Sequence, residues 1–234
     1  MKSTDLGPPP AGPWVRRWLS TARLAKYSTA AGGDIVRALA LYEWNSRISA
    51  ALMRDLGHIE VGLRNAYAAV IERYWAGSPV HWTGSAQALF PVDRIRDGRQ
   101  VDINTQQRAQ LDQACERVPE GAPGKVIAEL TFGFWRFLSS SAHEKTVWVP
   151  YLHQAFPPGT DRKRDVDSKV ATLNRLRNRV AHHEPLIGEN LSREAAKISA
   201  LGGLLDRDLV AYVAATSSVP EVLLERPSWA DLPG

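Results

Sequence analysis

The chain has little of what marks secreted, disulfide-stabilised or membrane-spanning proteins. One cysteine, Cys115, in 234 residues excludes an intrachain disulfide and a cysteine-based zinc site. The longest uncharged stretch, 76–92, contains glycine, proline and histidine and cannot form a hydrophobic helix across a bilayer. The first residues lack the apolar run of a signal peptide. We therefore predict a cytoplasmic protein with no membrane partner, in which residues 1–13 form a disordered leader.

Strand-like alternation of apolar and polar residues is also missing, whereas helical spacing is frequent. The longest example runs from Leu41 to Tyr74, where apolar residues recur every three or four positions. Further helices are predicted over 105–118, 125–139, 143–156, 165–184 and 192–215, with a short one after Pro220. The predicted fold class is all-α, a single helical bundle over 14–234 with one very long helix in its N-terminal half.

A shorter amphipathic segment with Trp14 and Trp18 precedes the long helix. It ends at Gly32-Gly33, after which Asp34 is placed to cap the next helix. Aromatic residues of the later segments are expected mainly in the core, with base stacking as the alternative. They are Trp44, Trp75, Phe134, Trp135 and Trp148.

The charge balance is basic, with a formal net charge of +4, and 22 of the 29 basic residues are arginine. The planar guanidinium suits phosphate recognition. The same excess is also typical of solvated helix faces and of arginine-rich genomes, so charge alone does not establish nucleic-acid binding.

One predicted helix has a charged residue where its apolar stripe should continue. The stripe consists of Val166, Val170, Leu173, Arg177, Val180 and Glu184. Arg177 is therefore expected at a core position, where a guanidinium is costly unless it is paired or faces a cleft. The structural alternative is a buried ion pair without any catalytic role.

The same helix carries a histidine near its end. Pro185 disfavours α conformation at Glu184, so His182 is predicted in the final helical turn. The helix dipole there favours the imidazolium, which suits a group that donates and accepts protons near neutral pH. The alternative is a histidine whose hydrogen bonds are satisfied locally.

The spacing Arg177-Asn178-x-x-x-His182 is similar to the motif of the HEPN superfamily. In these all-helical proteins, an arginine followed by four to six residues and a histidine marks metal-independent ribonucleases. Four segments in order resemble blocks of the Abi-like (abortive infection) proteins within this superfamily. They are 41–45, 59–66, 131–135 and 176–185. The resemblance covers roughly Trp14 to Tyr212.

The resemblance implies a HEPN-like bundle and an RNA endonuclease of the phage-defence or toxin type. It implies a homodimer with one composite site, in which Arg177 and His182 are catalytic and Asn178 orients them. A regulatory small RNA or an antitoxin is an expected partner. Many HEPN toxins carry a tyrosine two residues after the histidine, where an antitoxin modifies them, and this chain has Glu184 there.

RNA cleavage without metal or cofactor requires a base for the 2′-hydroxyl proton, an acid for the 5′-oxygen and a cation for the phosphorane. An arginine can serve as the cation and a histidine as acid or base. One histidine cannot hold both protonation states at once. A second histidine, from a dimer mate or from His183 of the same chain, would supply the missing group.

Three further residues are candidates for supporting roles. Glu60 and Arg64 lie four apart and can form an intrahelical ion pair. Alternatively, Glu60 orients Arg177 or His182 from a facing helix. Asn45 falls on the buried stripe of the long helix, where its amide needs partners, and we expect it to link segments before acting in the site.

Metal and nucleotide-triphosphate sites are not expected. Adjacent histidines on a helix point about 100° apart, and neither a His-Glu-x-x-His spacing nor a complete phosphate loop is present. The leading hypothesis is thus an RNA endonuclease. Its rivals are a catalytically silent RNA- or partner-binding module and a dormant nuclease that an RNA or phage product activates.

Overall fold

The computed structural model describes residues 11–91, 95–96, 99–118 and 122–228, and residues 1–10 of the predicted leader lie outside this part. The fold is all-α, as predicted. The α-helices are α1 (Pro13–Leu19), α2 (Thr21–Ala30), α3 (Ile35–Tyr74), α4 (Ala86–Leu89), α5 (Thr105–Arg117), α6 (Pro123–Glu129), α7 (Phe132–Leu138), α8 (Ser168–Ala181), α9 (Leu191–Leu205), α10 (Arg207–Thr216) and α11 (Val219–Leu224).

Shorter pieces complete the chain. One-turn 3₁₀ and π segments lie at Trp82–Gly84, Ser141–His143, Glu144–Trp148, Leu152–Ala155 and Arg162–Asp167. Ile95–Arg96 (β1) and Arg99–Gln100 (β2) pair antiparallel, with Ile95 opposite Gln100. No strand was predicted there, and two residues are too few for an alternating pattern to show.

The helix α3 confirms the strongest prediction and extends it by six residues at the N-terminus. Asp34 caps it, with its carboxylate accepting hydrogen bonds from the backbone N–H groups of Val36 at 2.8 Å and Arg37 at 3.1 Å. The helix continues without a break through Gly57. Across the part of the chain that the structure describes, no helix combines the length and the apolar character needed to cross a membrane.

The buried stripe of α3 departs from the prediction in its last third. The apolar spacing predicts Ala66, Val70 and Tyr74 after Leu63, but Tyr67 and Ile71 follow Leu63 in the core and Tyr74 is exposed. Steps of three and of four both keep a residue near one helix face, so the apolar pattern alone cannot distinguish the two continuations.

The core consists of two hydrophobic clusters that α3 connects. A small cluster joins α1 and α2 to the start of α3 through Val15, Leu19, Tyr27 and Leu39. From Trp44 onward, α3 contributes to the large cluster that includes residues of α5 through α11. Trp44, Phe134, Trp135 and Trp148 are buried there and Trp75 packs against it, which confirms the core prediction for these aromatic residues.

Several predicted helices are each interrupted. Ser20, with a φ of 60°, separates α1 from α2. The segment 125–139 breaks at Leu130 and Thr131, which are both extended. The segment 192–215 breaks at Asp206, whose extended backbone and carboxylate cap α10. Hydrophobic spacing persists across such breaks because both short helices bury a face in the same core.

The contact between α9 and α3 depends on a glycine. Gly202 is buried, and a Cβ atom there would lie 2.9 Å from Ile59 Cδ1 and 3.4 Å from Val210 Cβ. Gly203 is exposed, and its nearest neighbour would be Val210 Cγ1 at 3.9 Å. The chain therefore offers two adjacent helical glycines in different packing environments.

We predict opposite effects of alanine at these two positions. Gly203→Ala should raise the free energy of unfolding by about 0.5–1 kcal/mol, because alanine favours the helix. Gly202→Ala should lower the free energy of unfolding by about 1 kcal/mol, because overpacking costs more than the helix gains. Urea unfolding of both variants measures the difference. Equal stabilisation by both substitutions would contradict the close approach of α9 to α3.

Candidate functional site

The predicted motif lies at the C-terminal end of α8, which is shorter than predicted at both ends. The segment Arg162–Asp167 is a π segment, and the α-helix ends at Ala181. His182 is therefore the C-cap, one residue beyond the last helical residue, whereas it was predicted within the final turn. Its backbone N–H donates to the Asn178 carbonyl at 2.9 Å.

The chain leaves α8 through a left-handed residue. His183 has a φ of 53°, its N–H donates to the Val180 carbonyl at 3.0 Å, and the Glu184 N–H donates to the Arg179 carbonyl at 2.9 Å. This pair of bonds is a Schellman motif, in which glycine is the usual left-handed residue. A histidine there has a less favourable backbone conformation than glycine would have.

Arg177 does not continue the buried stripe, which corrects the prediction. Leu176 fills the core position between Leu173 and Val180, and it is 4% exposed. The Arg177 side chain lies beside the stripe with 36% of its surface exposed. A step of three from Leu173 to Leu176 and of four to Val180 keeps the stripe apolar, so the helix needs no buried guanidinium.

Glu60 on α3 is the partner of Arg177. Arg177 Nε lies 3.6 Å from Glu60 Oε2, a distance of ion pairing without a hydrogen bond. Nη1 and Nη2 of Arg177 make no hydrogen bond within the described residues. The structure confirms that Glu60 faces Arg177 from the neighbouring helix. Glu60 forms no ion pair with Arg64 among the described residues, and Arg64 Nε donates instead to Asn65 Oδ1 at 3.4 Å.

Asn45 links α3 to the segment that follows α8, as predicted. It is 4% exposed, its Nδ2 donates to the Glu184 carbonyl at 3.4 Å, and its Oδ1 accepts from the Leu186 N–H at 2.6 Å. Because Glu60 meets Arg177 and Asn45 meets Glu184, α3 and α8 run antiparallel along this contact. Asn45 thus holds the chain directly after the two histidines.

Arg179 fixes the same segment from the other side and was missed at the sequence level. Its Nε lies 3.2 Å from Glu184 Oε2, its Nη2 donates to the Pro185 carbonyl at 2.6 Å, and its Nη1 contacts the Glu189 carboxylate. The sequence does indicate this role, because the carboxylates of Glu184 and Glu189 follow Arg179 within ten residues. Glu184 is consequently part of an ion pair.

An open cavity of about 450 Å³ lies between α3 and the end of α8. Its lining includes Tyr42, Asn45, Ser49 and His183, and we call it the α3–α8 cavity. Ser49 Oγ is buried and has no hydrogen-bond partner among the described residues. Tyr42 and Ser49 were not predicted as site residues, because their place there depends on which face of α3 packs toward α8.

Tyr27 packs behind this cavity, with its ring edge-on to Tyr42 at 5.4 Å between centroids. Burial raises the pKa of the Tyr27 phenol to about 12. The phenol is neutral near pH 7 even at its ordinary pKa, and burial keeps it neutral further into the alkaline range. Tyr27 supports the position of Tyr42 without adding a charge to the cavity.

The remaining predicted residues are on the surface. Asn178 and His182 are exposed, and their side chains form no hydrogen bond or ion pair within the described part of the chain. His183 is also exposed, and it lies at the cavity. The structure thus joins Arg177 to Glu60 and places Asn45 and His183 at one cavity, without a direct contact between Arg177 and His182.

Other groupings and relationships give no further lead. No group of three or more His, Cys, Asp or Glu with metal-binding geometry occurs among the residues that the structure describes. Comparisons of the chain with protein-family models, curated proteins and solved structures give no match.

The left-handed His183 leads to a prediction about stability. His183→Gly should raise the free energy of unfolding by about 1 kcal/mol, because glycine adopts a positive φ without steric cost. His183→Ala is the matched control, since it removes the imidazole but keeps the Cβ atom and the strain. Thermal unfolding followed by circular dichroism compares the two. If the alanine variant is as stable as the glycine variant, the backbone conformation is not the cause.

Proposed function

We propose that the protein is a metal-independent RNA endonuclease of the HEPN type, with a role in abortive infection or as a toxin. The observation that carries this proposal is the state of Arg177. The ion pair with Glu60 runs through its Nε, and neither Nη1 nor Nη2 makes a hydrogen bond among the described residues, so these donors remain available for a phosphate. Exposed His182 and His183 follow on the same chain, and His183 lines the α3–α8 cavity.

These groups supply the chemistry of a transesterification within RNA. A neutral histidine takes the proton of a 2′-hydroxyl while that oxygen attacks the adjacent phosphorus. The guanidinium of Arg177 stabilises the charge of the phosphorane. The bond from phosphorus to the 5′-oxygen breaks, and that oxygen takes a proton from an imidazolium. The products are a 2′,3′-cyclic phosphate and a 5′-hydroxyl.

The acid and the base must be different groups, which favours a homodimer. Each chain has one Arg177 and one His182, and both are accessible at the surface of α8. An isologous interface between two α8 helices brings the twin of each residue to the same place. His183 of the same chain is the alternative second group, because it borders the cavity one residue away.

We predict that Arg177→Ala and His182→Ala each lower RNA cleavage by at least about 100-fold, because each removes transition-state stabilisation or proton transfer. Arg175→Ala is the matched control, since Arg175 is an exposed arginine of the same helix and should retain near wild-type activity. Purified protein is incubated with labelled RNA in excess EDTA, and the ends of the products are determined. Cleavage should persist in EDTA and leave 2′,3′-cyclic phosphate.

Three results would contradict this mechanism. They are a requirement for magnesium, products with a 5′-phosphate, and an Arg177→Ala variant that unfolds while its folded fraction keeps full activity.

A dormant nuclease would be silent in the purified assay, so the same variants are also expressed in phage-infected cells. If the wild-type protein protects the cells and the Arg177 and His182 variants do not, the protein is a dormant nuclease. If all variants behave like the wild type, a silent binding module is favoured.

A mixing experiment tests the shared site. Arg177→Ala and His182→Ala chains are each inactive in the proposal, but a heterodimer of the two retains one intact arginine and one intact histidine. Both chains also keep His183 as a second proton-transfer group, so coexpression should restore part of the cleavage activity that both single variants lack. Size-exclusion chromatography with light scattering gives the oligomeric state. A monomer at micromolar concentration that cleaves RNA at the full rate would refute the shared site.

A further inference from the structure

The first helix carries two exposed tryptophans that the proposed chemistry does not use. Trp14 and Trp18 are 38% and 51% exposed, and their rings are stacked with centroids 5.5 Å apart and planes 17° apart. An adjoining face of α1 is anchored in the small core cluster by Val15 and Leu19. The two indoles are thus fixed at the surface rather than required for the core.

This aromatic pair continues into the α3–α8 cavity. The Trp18 ring meets Tyr42 edge-on, with centroids 5.2 Å apart, and Tyr42 lines the cavity together with His183. We call Trp14, Trp18 and Tyr42 the aromatic row. It extends from the surface of α1 to the cavity beside the histidines.

The helix α1, which carries the two tryptophans, and α2, which contacts it, have only positive charges. Arg16 and Arg17 on α1 and Arg23 and Lys26 on α2 are all exposed. Neither helix contains an aspartate or a glutamate. None of the four cations forms an ion pair with a carboxylate in the described part of the chain. Aromatic faces beside unpaired cations are the combination that single-stranded nucleic acids bind, through base stacking and phosphate contacts.

We propose that the aromatic row is a base-stacking subsite for single-stranded RNA that leads the strand into the α3–α8 cavity. The proposal rests on the proposed ribonuclease function for the identity of the strand. Trp14 and Trp18 stack with unpaired bases, and the arginines of α1 contact the neighbouring phosphates. Substrates with unpaired nucleotides beside the cleaved bond are therefore the ones that the site accepts.

A second copy of the chain fits this surface less well than RNA. In an isologous contact through this surface, the cations of α1 and α2 would face the same cations of the partner. Like charges opposed across an interface disfavour association. The four cations on α1 and α2 and the lack of acidic residues there favour a polyanion as the occupant.

The test measures binding without cleavage. The His182→Ala protein, which retains the aromatic row, is titrated into a fluorescently labelled, unstructured RNA of about 20 nucleotides, and the anisotropy is recorded. Adding Trp18→Ala should weaken binding at least about fivefold, and Trp18→Phe should recover part of the loss because it retains a ring for stacking. Blunt double-stranded RNA should compete poorly because its bases are already stacked.

Controls separate stacking from general surface effects. Tyr212→Ala removes another exposed aromatic ring, which contacts His58 on a different part of α3, and it should leave binding unchanged. Replacing both Arg16 and Arg17 by alanine should reduce the slope of log K against log salt by about 1.4, or roughly 0.7 for each phosphate contact on a single strand. Circular dichroism checks that each variant is folded.

The outcomes distinguish this subsite from the nuclease itself. If RNA is cleaved but Trp18→Ala binds it as tightly as the parent protein, the subsite is refuted and the nuclease is not. If RNA binds through the tryptophans but is never cleaved, the nuclease proposal fails and the subsite stands. No binding to RNA overturns the subsite. A Trp18→Ala variant that loses dimerisation in light scattering also overturns it and assigns the aromatic row to a protein interface.

Discussion

Burial of one face of the 40-residue helix α3, from Ala38 to Ile71, is the constraint on which the remaining structure depends. At 1.5 Å per residue this helix is about 60 Å long, and it contributes to both hydrophobic clusters. The same helix presents Tyr42, Asn45, Ser49 and Glu60 toward the end of α8. Because these side chains project from one rigid element, their spacing is set by helix geometry and not by loop conformation.

The contacts between α3 and α8 divide into two kinds. Asn45 makes neutral hydrogen bonds to the segment after α8, and these are buried and directional. Glu60 offers a longer and partly exposed ionic contact to Arg177. The first contact orders the backbone around the histidines, whereas the second holds the guanidinium without a hydrogen bond. The polar residues of the site therefore differ in how firmly the fold holds them.

Much of the fold could be predicted because the spacing of apolar residues indicates which face of a helix is buried. The long helix, its Asp34 cap and the linking role of Asn45 were all predictable from periodicity, capping chemistry and the need of a buried amide for partners. The breaks at Leu130 and Asp206 were not, since apolar spacing continues across them. The position of Arg177 was assigned wrongly because Leu173 can be followed by either a step of three or a step of four. The left-handed conformation of His183 and the role of Arg179 depend on how the chain leaves α8, which local sequence preference does not determine.

Two sets of contacts hold the segment after α8. One set is ionic and the other is neutral, so they respond differently to salt. Arg179 holds Glu184 and Glu189 through ion pairs whose carboxylate side chains are 49% and 41% exposed. At an ionic strength of 1 M the Debye length falls to about 3 Å, so mobile ions compete with these pairs. The Asn45 amide carries no charge and is buried, so salt leaves its bonds intact. Ionic strength therefore loosens the far end of the 184–189 turn while the residues next to the histidines stay in place.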